Sequence, residues 1–178
     1  MKKSTIIYVF ILFISKLSIA SIIESTKSGN WKDSKTWING IIPCGTDSVI
    51  INKSDTVYIN SSFAKSVYLL NRGVIFFKSN TNIFNCNQVL FESGEITGNS
   101  PGSLKTETIS FSGKSILGKC NLEVLKTLHI KDSLFVKSSS GIKTIGSLKN
   151  NGKLINIASE NINLKGNFEN NGEIIFNN

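Results

Sequence analysis

Between Val67 and Phe168 the chain repeats itself about every twenty residues, and a period of that length leaves few architectures open. Leu70-Asn71-Arg72-Gly73-Val74-Ile75-Phe76 aligns with Phe91-Glu92-Ser93-Gly94-Glu95-Ile96 and with Phe111-Ser112-Gly113-Lys114-Ser115-Ile116. The series continues through Leu148-Lys149-Asn150-Asn151-Gly152-Lys153-Leu154 and Phe168-Glu169-Asn170-Asn171-Gly172-Glu173-Ile174. With Val67, Val89, Ile109, Leu128, Leu148 and Phe168 as the opening apolar residues, the spacings are 22, 20, 19, 20 and 20. A unit this short cannot bury an apolar face alone, so the copies must stack and share one core.

Each copy reads as an apolar-x-apolar strand, a polar corner and a second apolar strand. In Val89-Leu90-Phe91, Ile109-Ser110-Phe111 and Leu128-His129-Ile130 the first and third residues share a face, which predicts that they point into the common interior. Gly73, Gly94, Gly113, Gly152 and Gly172 hold the corner, where a positive φ is expected and glycine carries no steric penalty. Asp132 stands there in the fourth copy, and Asp tolerates the left-handed region better than most residues. Asn71, Asn150 and Asn170, two positions earlier, are placed to stack as amide ladders. The implied fold is all-β: a single-stranded parallel β-helix of about six to seven coils with an N-terminal cap, a rod roughly 25–30 Å long at ordinary strand spacing. The competing fold is an antiparallel β-sandwich in which Asn151-Gly152 and Asn171-Gly172 form type I′ hairpin turns. Constant phase over six copies favours stacking, because sandwich strands have no reason to keep one period.

The N-terminus reads as a leader. Lys2 and Lys3 precede an apolar run from Ile6 to Ile14, and Ser18-Ile19-Ala20 supplies a small-residue cleavage site, so residues 1–20 read as a signal peptide. The run is too short to span a bilayer, and no transmembrane segment is expected in the mature chain. Removing Lys2, Lys3 and Lys16 takes the basic count from 20 to 17 against 12 acids, so the net charge falls from +8 to +5. The lysines are scattered and Arg72 is the only arginine, which argues against nucleic-acid binding. Only Ala64 and Ala158 remain as alanines beyond the leader, while strand and turn residues abound. Cys44, Cys86 and Cys120 allow one disulfide in three connectivities or small buried thiols, the latter favoured. No metal site or cofactor is indicated.

Residues 21–54 differ from the repeats of 55–178 and read as a cap with the first coil. They carry the run Gly29-x-Trp31-x-Asp33-x-x-Thr36-Trp37-x-x-Gly40-x-x-Pro43-x-x-x-Asp47-x-Val49-x-Ile51, followed by Asp55-x-Val57. This run resembles the opening of G8 and G8-like domains of secreted and cell-surface proteins, including surface proteins of Bacteroidota. The resemblance covers about thirty residues. It implies a right-handed parallel β-helix downstream and a secreted or cell-surface location. Glycan-degrading members exist, but none of their functional residues has a matching motif here.

Signals for catalysis are sparse. His129 lies between inward-pointing Leu128 and Ile130, which puts its ring on the outside without an orienting partner. Asp33, Asp47 and Asp55 fall in the cap and first coil, far in sequence from Asp132, and no acidic pair or acidic loop appears. Trp31, Trp37, Tyr58 and Tyr68 are candidates for a sugar-stacking platform, against the alternative that both tryptophans pack the cap. Ile174-Ile175-Phe176 closes on a core strand with no polar cap, so that end is expected to be covered by a partner, by self-association or by sequence lost from a longer ancestor, and a glycan or a surface protein is the expected partner of the chain. The expected function is therefore a non-enzymatic, exported scaffold, adhesin-like or weak glycan-binding module. A polysaccharide-active enzyme, or its accessory domain, is the alternative.

Overall fold

A strand in a sheet needs a neighbour on each edge, and here the neighbour is the same segment of the next repeat. A computed structural model, which describes residues 20–60, 64–137, 140–144, 146–156 and 162–176, shows a β-solenoid of about six turns. Every ladder between strands in it is parallel. The strands fall into two sheets, one of ten and one of eight, each ordered coil after coil. Asn151-Gly152 and Asn171-Gly172 are corners, since Ser147–Asn150 and Lys153–Asn156 pair with strands one coil away and not with each other. The sandwich is thereby set aside.

The long strands Ala64–Asn71, Ile83–Glu92, Gly102–Ser112 and Cys120–Ile130 each bend in the middle. Inside-outside alternation breaks at Val67-Tyr68, Asn87-Gln88, Glu107-Thr108 and Leu125 to Thr127, where consecutive side chains point outward. A strand that turns its inward side through such a bend covers two walls of the coil. Together with the short strands Thr56–Ile59, Val74–Phe77, Glu95–Gly98, Lys114–Leu117, Ser133–Val136, Lys153–Asn156 and Glu173–Phe176, it gives a coil of three faces. We call them first, second and third in chain order within a coil.

Inward residues stack in rows. On the second face Val49, Leu69, Val89, Ile109, Leu128, Leu148 and Phe168 are in register. Beside them Phe91 and Phe111 stack with ring centres 5.1 Å apart. The opening residue of the first repeat is thus Leu69, fully buried, whereas Val67 is 40% exposed at the bend. With that correction the period begins at Val49 and runs in steps of twenty, except for one of nineteen between Ile109 and Leu128. The first-face pairing of the same two strands, Thr106 with Val124, runs at eighteen, and a register shift between Val124 and Thr127 adds the one residue that brings the second face to nineteen.

The corner glycines are required for a reason other than backbone conformation. Among the six corner positions only Gly113 has a positive φ, +67°. At Gly73, Gly94, Gly152 and Gly172 a Cβ would lie 2.0–2.6 Å from a backbone oxygen of the preceding coil. What the stack demands there is the absence of a side chain. Asp132 is not left-handed either. Its carboxylate reaches back one coil and accepts the Gly113 N–H at 2.8 Å. The amide ladder forms where Asn recurs: Asn150 Nδ2 donates to Asn170 Oδ1 at 2.8 Å, and outside it Asn171 donates to Asn151 at 3.3 Å. Asn71, with Phe91 one coil on in place of an Asn, donates instead to the Glu95 carbonyl at 3.1 Å.

Because the Gly152 contact is to backbone, Gly152→Ala is expected to lower unfolding free energy by about 1–3 kcal/mol. Urea titration followed by far-UV circular dichroism measures it. An Ala there as stable as Gly would mean that the coils do not approach so closely.

Candidate functional site

The N-terminal end of a solenoid must hide the apolar top of its first complete coil. Ala64 opens the first-face row and is in register with Phe84, but the strand before it, Ser48–Ile51, reaches only the second-face half of Ala64–Asn71, pairing with Tyr68–Asn71. Trp31 fills the space left above small Ala64: its ring lies 4.9 Å from that of Phe84 and 5.1 Å, edge-on, from that of Trp37. Both indoles are 2% exposed, and Trp37 Nε1–H donates to the Trp31 carbonyl at 2.8 Å.

The other residues of the opening motif shape the chain around those two rings. Asp33 accepts the Lys35 N–H at 2.9 Å and starts a short 3-10 turn. The Thr36 hydroxyl donates to the Asn30 carbonyl at 2.9 Å and sits where a side chain on Gly29 would be. Gly40, at φ +67°, follows Asn39 at +56° and reverses the chain. Pro43 is buried behind them, and Asp47 is held by backbone donors.

The four-ring sugar platform does not exist. Trp31 and Trp37 present no open face, Tyr58 lies on the third face, and Tyr68 sits at the bend between first and second faces. Tyr58 itself is flanked by Phe76 at 5.5 Å, with Lys78 Nζ 5.0 Å from its ring centre. His129 points outward beside Asn151, 3.3 Å away. Burial, then repulsion from Lys131 and Lys149, lowers its pKa below the usual 6.5, so the ring is neutral at neutral pH. All three cysteines are free. Burial pushes Cys86 up to about 11 and Cys120 up to about 12, so both remain thiols, while Cys44 is exposed.

The arrangement best suited to binding lies on the outside of the first face. Lys65, Asn85, Lys105, Glu123, Lys143 and Asn163 are in register, one per coil, along the solenoid axis. A shallow groove follows them in three overlapping stretches, with Asn87 and Ser103 among its walls. Glu123 sits between two lysines, 3.3 Å from Lys105 and 3.8 Å from Lys143, and Glu107 is 2.7 Å from Lys126. Both carboxylates are thus engaged by cations. The row escaped the sequence reading, although positions 65, 85, 105, 123, 143 and 163 recur in steps of twenty except for one of eighteen.

Among the described residues no three His, Cys, Asp or Glu side chains gather as a metal site, and no helix is long and apolar enough to cross a membrane. The chain matches no family model, no curated protein and no solved structure.

If the tryptophans close the core, Trp31→Ala is expected to cost about 3–5 kcal/mol in a denaturant titration. A smaller loss than from truncating an exposed Val67 would show that the cap is not part of the cooperative fold.

Proposed function

We propose that this protein is an exported, non-enzymatic β-solenoid whose first face binds extended glycan chains at the cell surface or outside the cell, as a scaffold or adhesin-like module. The observation that carries this reading is the polar row itself. A backbone ladder fixes successive side chains about 4.8 Å apart. Lysines recur in alternate coils, roughly 10 Å apart, with Asn85 and Glu123 between them and Asn163 beyond Lys143. Amides bond hydroxyls in both senses, and ammonium groups favour acidic sugars. Ion-paired Glu107 and Glu123 suit a binding surface better than acid–base chemistry, which needs a carboxyl free to exchange its proton. The Trp-containing opening run adds weight, since we assign residues 21–54 to a G8-like beginning.

A glycan array with neutral and acidic polysaccharides tests the proposal. Acidic chains are expected to bind in a salt-sensitive manner. The triple variant Lys65→Ala, Lys105→Ala, Lys143→Ala is expected to lose about tenfold or more of the affinity, and neutral chains much less. Binding unchanged in the triple variant sinks the reading. Release of new reducing ends or unsaturated sugars in a parallel activity screen would transfer it to the enzyme alternative.

The far end supports self-association as a second part of the reading. Strands Ile162–Leu164, Phe168–Asn170 and Glu173–Phe176 each pair on one side only among the described residues. Phe168 and Phe176 are 51% and 63% exposed around a hollow floored by Leu148 and Leu154. Tryptophans close the opposite end, so an open end fits another open end, giving a two-fold pair rather than a head-to-tail fibre. With the axis through Ile162–Leu164, Phe168 of one copy meets Phe176 of the second. Light scattering should then report a dimer that Phe176→Glu converts to a monomer with an unchanged circular dichroism spectrum. A strict monomer at every concentration rules the pairing out.

A further inference from the structure

A carboxylate is seldom buried unless several N–H donors or a cation hold it. Asp47 is 5% exposed. Its Oδ1 accepts the backbone N–H of Ser21 at 3.0 Å, and its Oδ2 accepts that of Cys44 at 2.8 Å. Residue 21 is fastened on its other side too, because its carbonyl accepts the Ser48 N–H at 2.8 Å. Burial pushes the Asp47 carboxyl up, but hydrogen bonds from the Cys44 side chain and from the Cys44 and Ser21 backbone outweigh it and leave the pKa below 3.8. Ala20 and Ser21 are themselves exposed, so the bond between them is open to a protease.

That bond is the one expected to be cut when the leader is removed. In the step, a signal peptidase adds water across the Ala20–Ser21 peptide bond. Ala20 leaves as a carboxylate, and the Ser21 nitrogen becomes an α-ammonium. We infer that Asp47 is a built binding site for this new amino terminus, so that maturation turns a hydrogen bond from an uncharged peptide N–H to the Asp47 carboxylate into an ion pair. The pair fastens strand Ile22–Glu24 to the cap and tightens the closed end of the solenoid. The inference rests on the export reading, because only cleavage after Ala20 puts a charge at that nitrogen.

The pH dependence has a defined sign. Pairing raises the terminal amine above its unfolded value of about 7.7–8.0, so its contribution is complete below that range and is lost as pH rises through the higher folded value. The Asp47 contribution is complete above 3.8 and is lost as pH falls through its lower folded value. Other titratable or charged groups nearby are Cys44, bonded to Asp47, Lys65 beside Gly45, Tyr68 in register with Ser48, and Glu24 at the far end of the first strand. The test uses a Cys44→Ser background, which removes the thiol bonded to Asp47.

The full gene is expressed in an exporting host, with intact mass defining each new terminus, alongside a version with one glycine inserted between Ala20 and Ser21. The uninserted chain is expected to be more stable by roughly five- to tenfold in its unfolding equilibrium constant at pH 7. This advantage should fade above about pH 8 and vanish in Asp47→Asn. At pH 7 the amine of the uninserted chain should also be acylated about tenfold more slowly than that of Asp47→Asn, a readout that needs no unfolding. Correct masses with equal stability and equal acylation overturn the inference and leave the export reading standing. A mature mass that does not begin at Ser21 overturns both.

Discussion

Parallel in-register stacking of one coil on the next is the constraint from which the rest of this structure follows. Each strand takes its hydrogen bonds from coils above and below, and the same registry lays Val49, Leu69, Val89, Ile109, Leu128 and Leu148 in one buried row. Main-chain pairing and apolar burial therefore share one period and stand or fall together. The registry also explains the corners, where backbones of adjacent coils approach so closely that Gly152 and Gly172 leave no room for a side chain. A coil can gain a residue at a bend and still pair in register on both sides of it, as between Val124 and Thr127.

Much of this was legible in the sequence because second and third faces keep clean alternation and a glycine between them. Two details were not. Val67 looks like an opening core residue, yet the strand bends there and two consecutive side chains point outward; hydrophobicity alone does not report a bend. The corner glycines suggested positive φ, but close approach of another coil selects glycine equally well and lies outside any local pattern. The polar row was hidden for a third reason. Its face has Ser66, Cys86 and Thr106 among its inward residues, so the alternation that would have marked Lys65, Asn85 and Lys105 as outward is weak. The eight motif residues from Gly29 to Asp47 stand out in the sequence through two tryptophans set among turn-forming residues. Their contacts show packing and turn roles, with Trp31 and Trp37 inside the core and not on a platform.

The two ends of the rod are chemically different, and this limits how it can be used. At one, two indoles, a buried proline and a tethered carboxylate close the core. At the other, among the described residues, the side chains of Phe168 and Phe176 face outward. Stacking that joined unlike ends would have to displace Trp31 and Trp37, losing burial that large aromatic side chains supply in quantity. The residues that close this end are thus the same ones that complete the core of the first full coil.

The outward rows differ in how well they suit a polymer. On the third face Ile116, Phe135, Ile155 and Ile175 form an apolar row, with Lys114 packed over Phe135 and Lys153 paired with Glu173. These contacts are made within the sheet and leave few polar groups to direct outward. On the first face the amides of Asn85 and Asn163 alternate with ammonium groups, and the lysine spacing is set by backbone pairing rather than by flexible loops. Glu123, between two of those lysines, holds their charges in place before any ligand arrives. A chain laid along the axis would therefore meet donors already spaced at multiples of one strand, which lowers the ordering cost that usually weakens polar recognition. The periodicity that folds the protein is the same periodicity that a polymeric ligand would read.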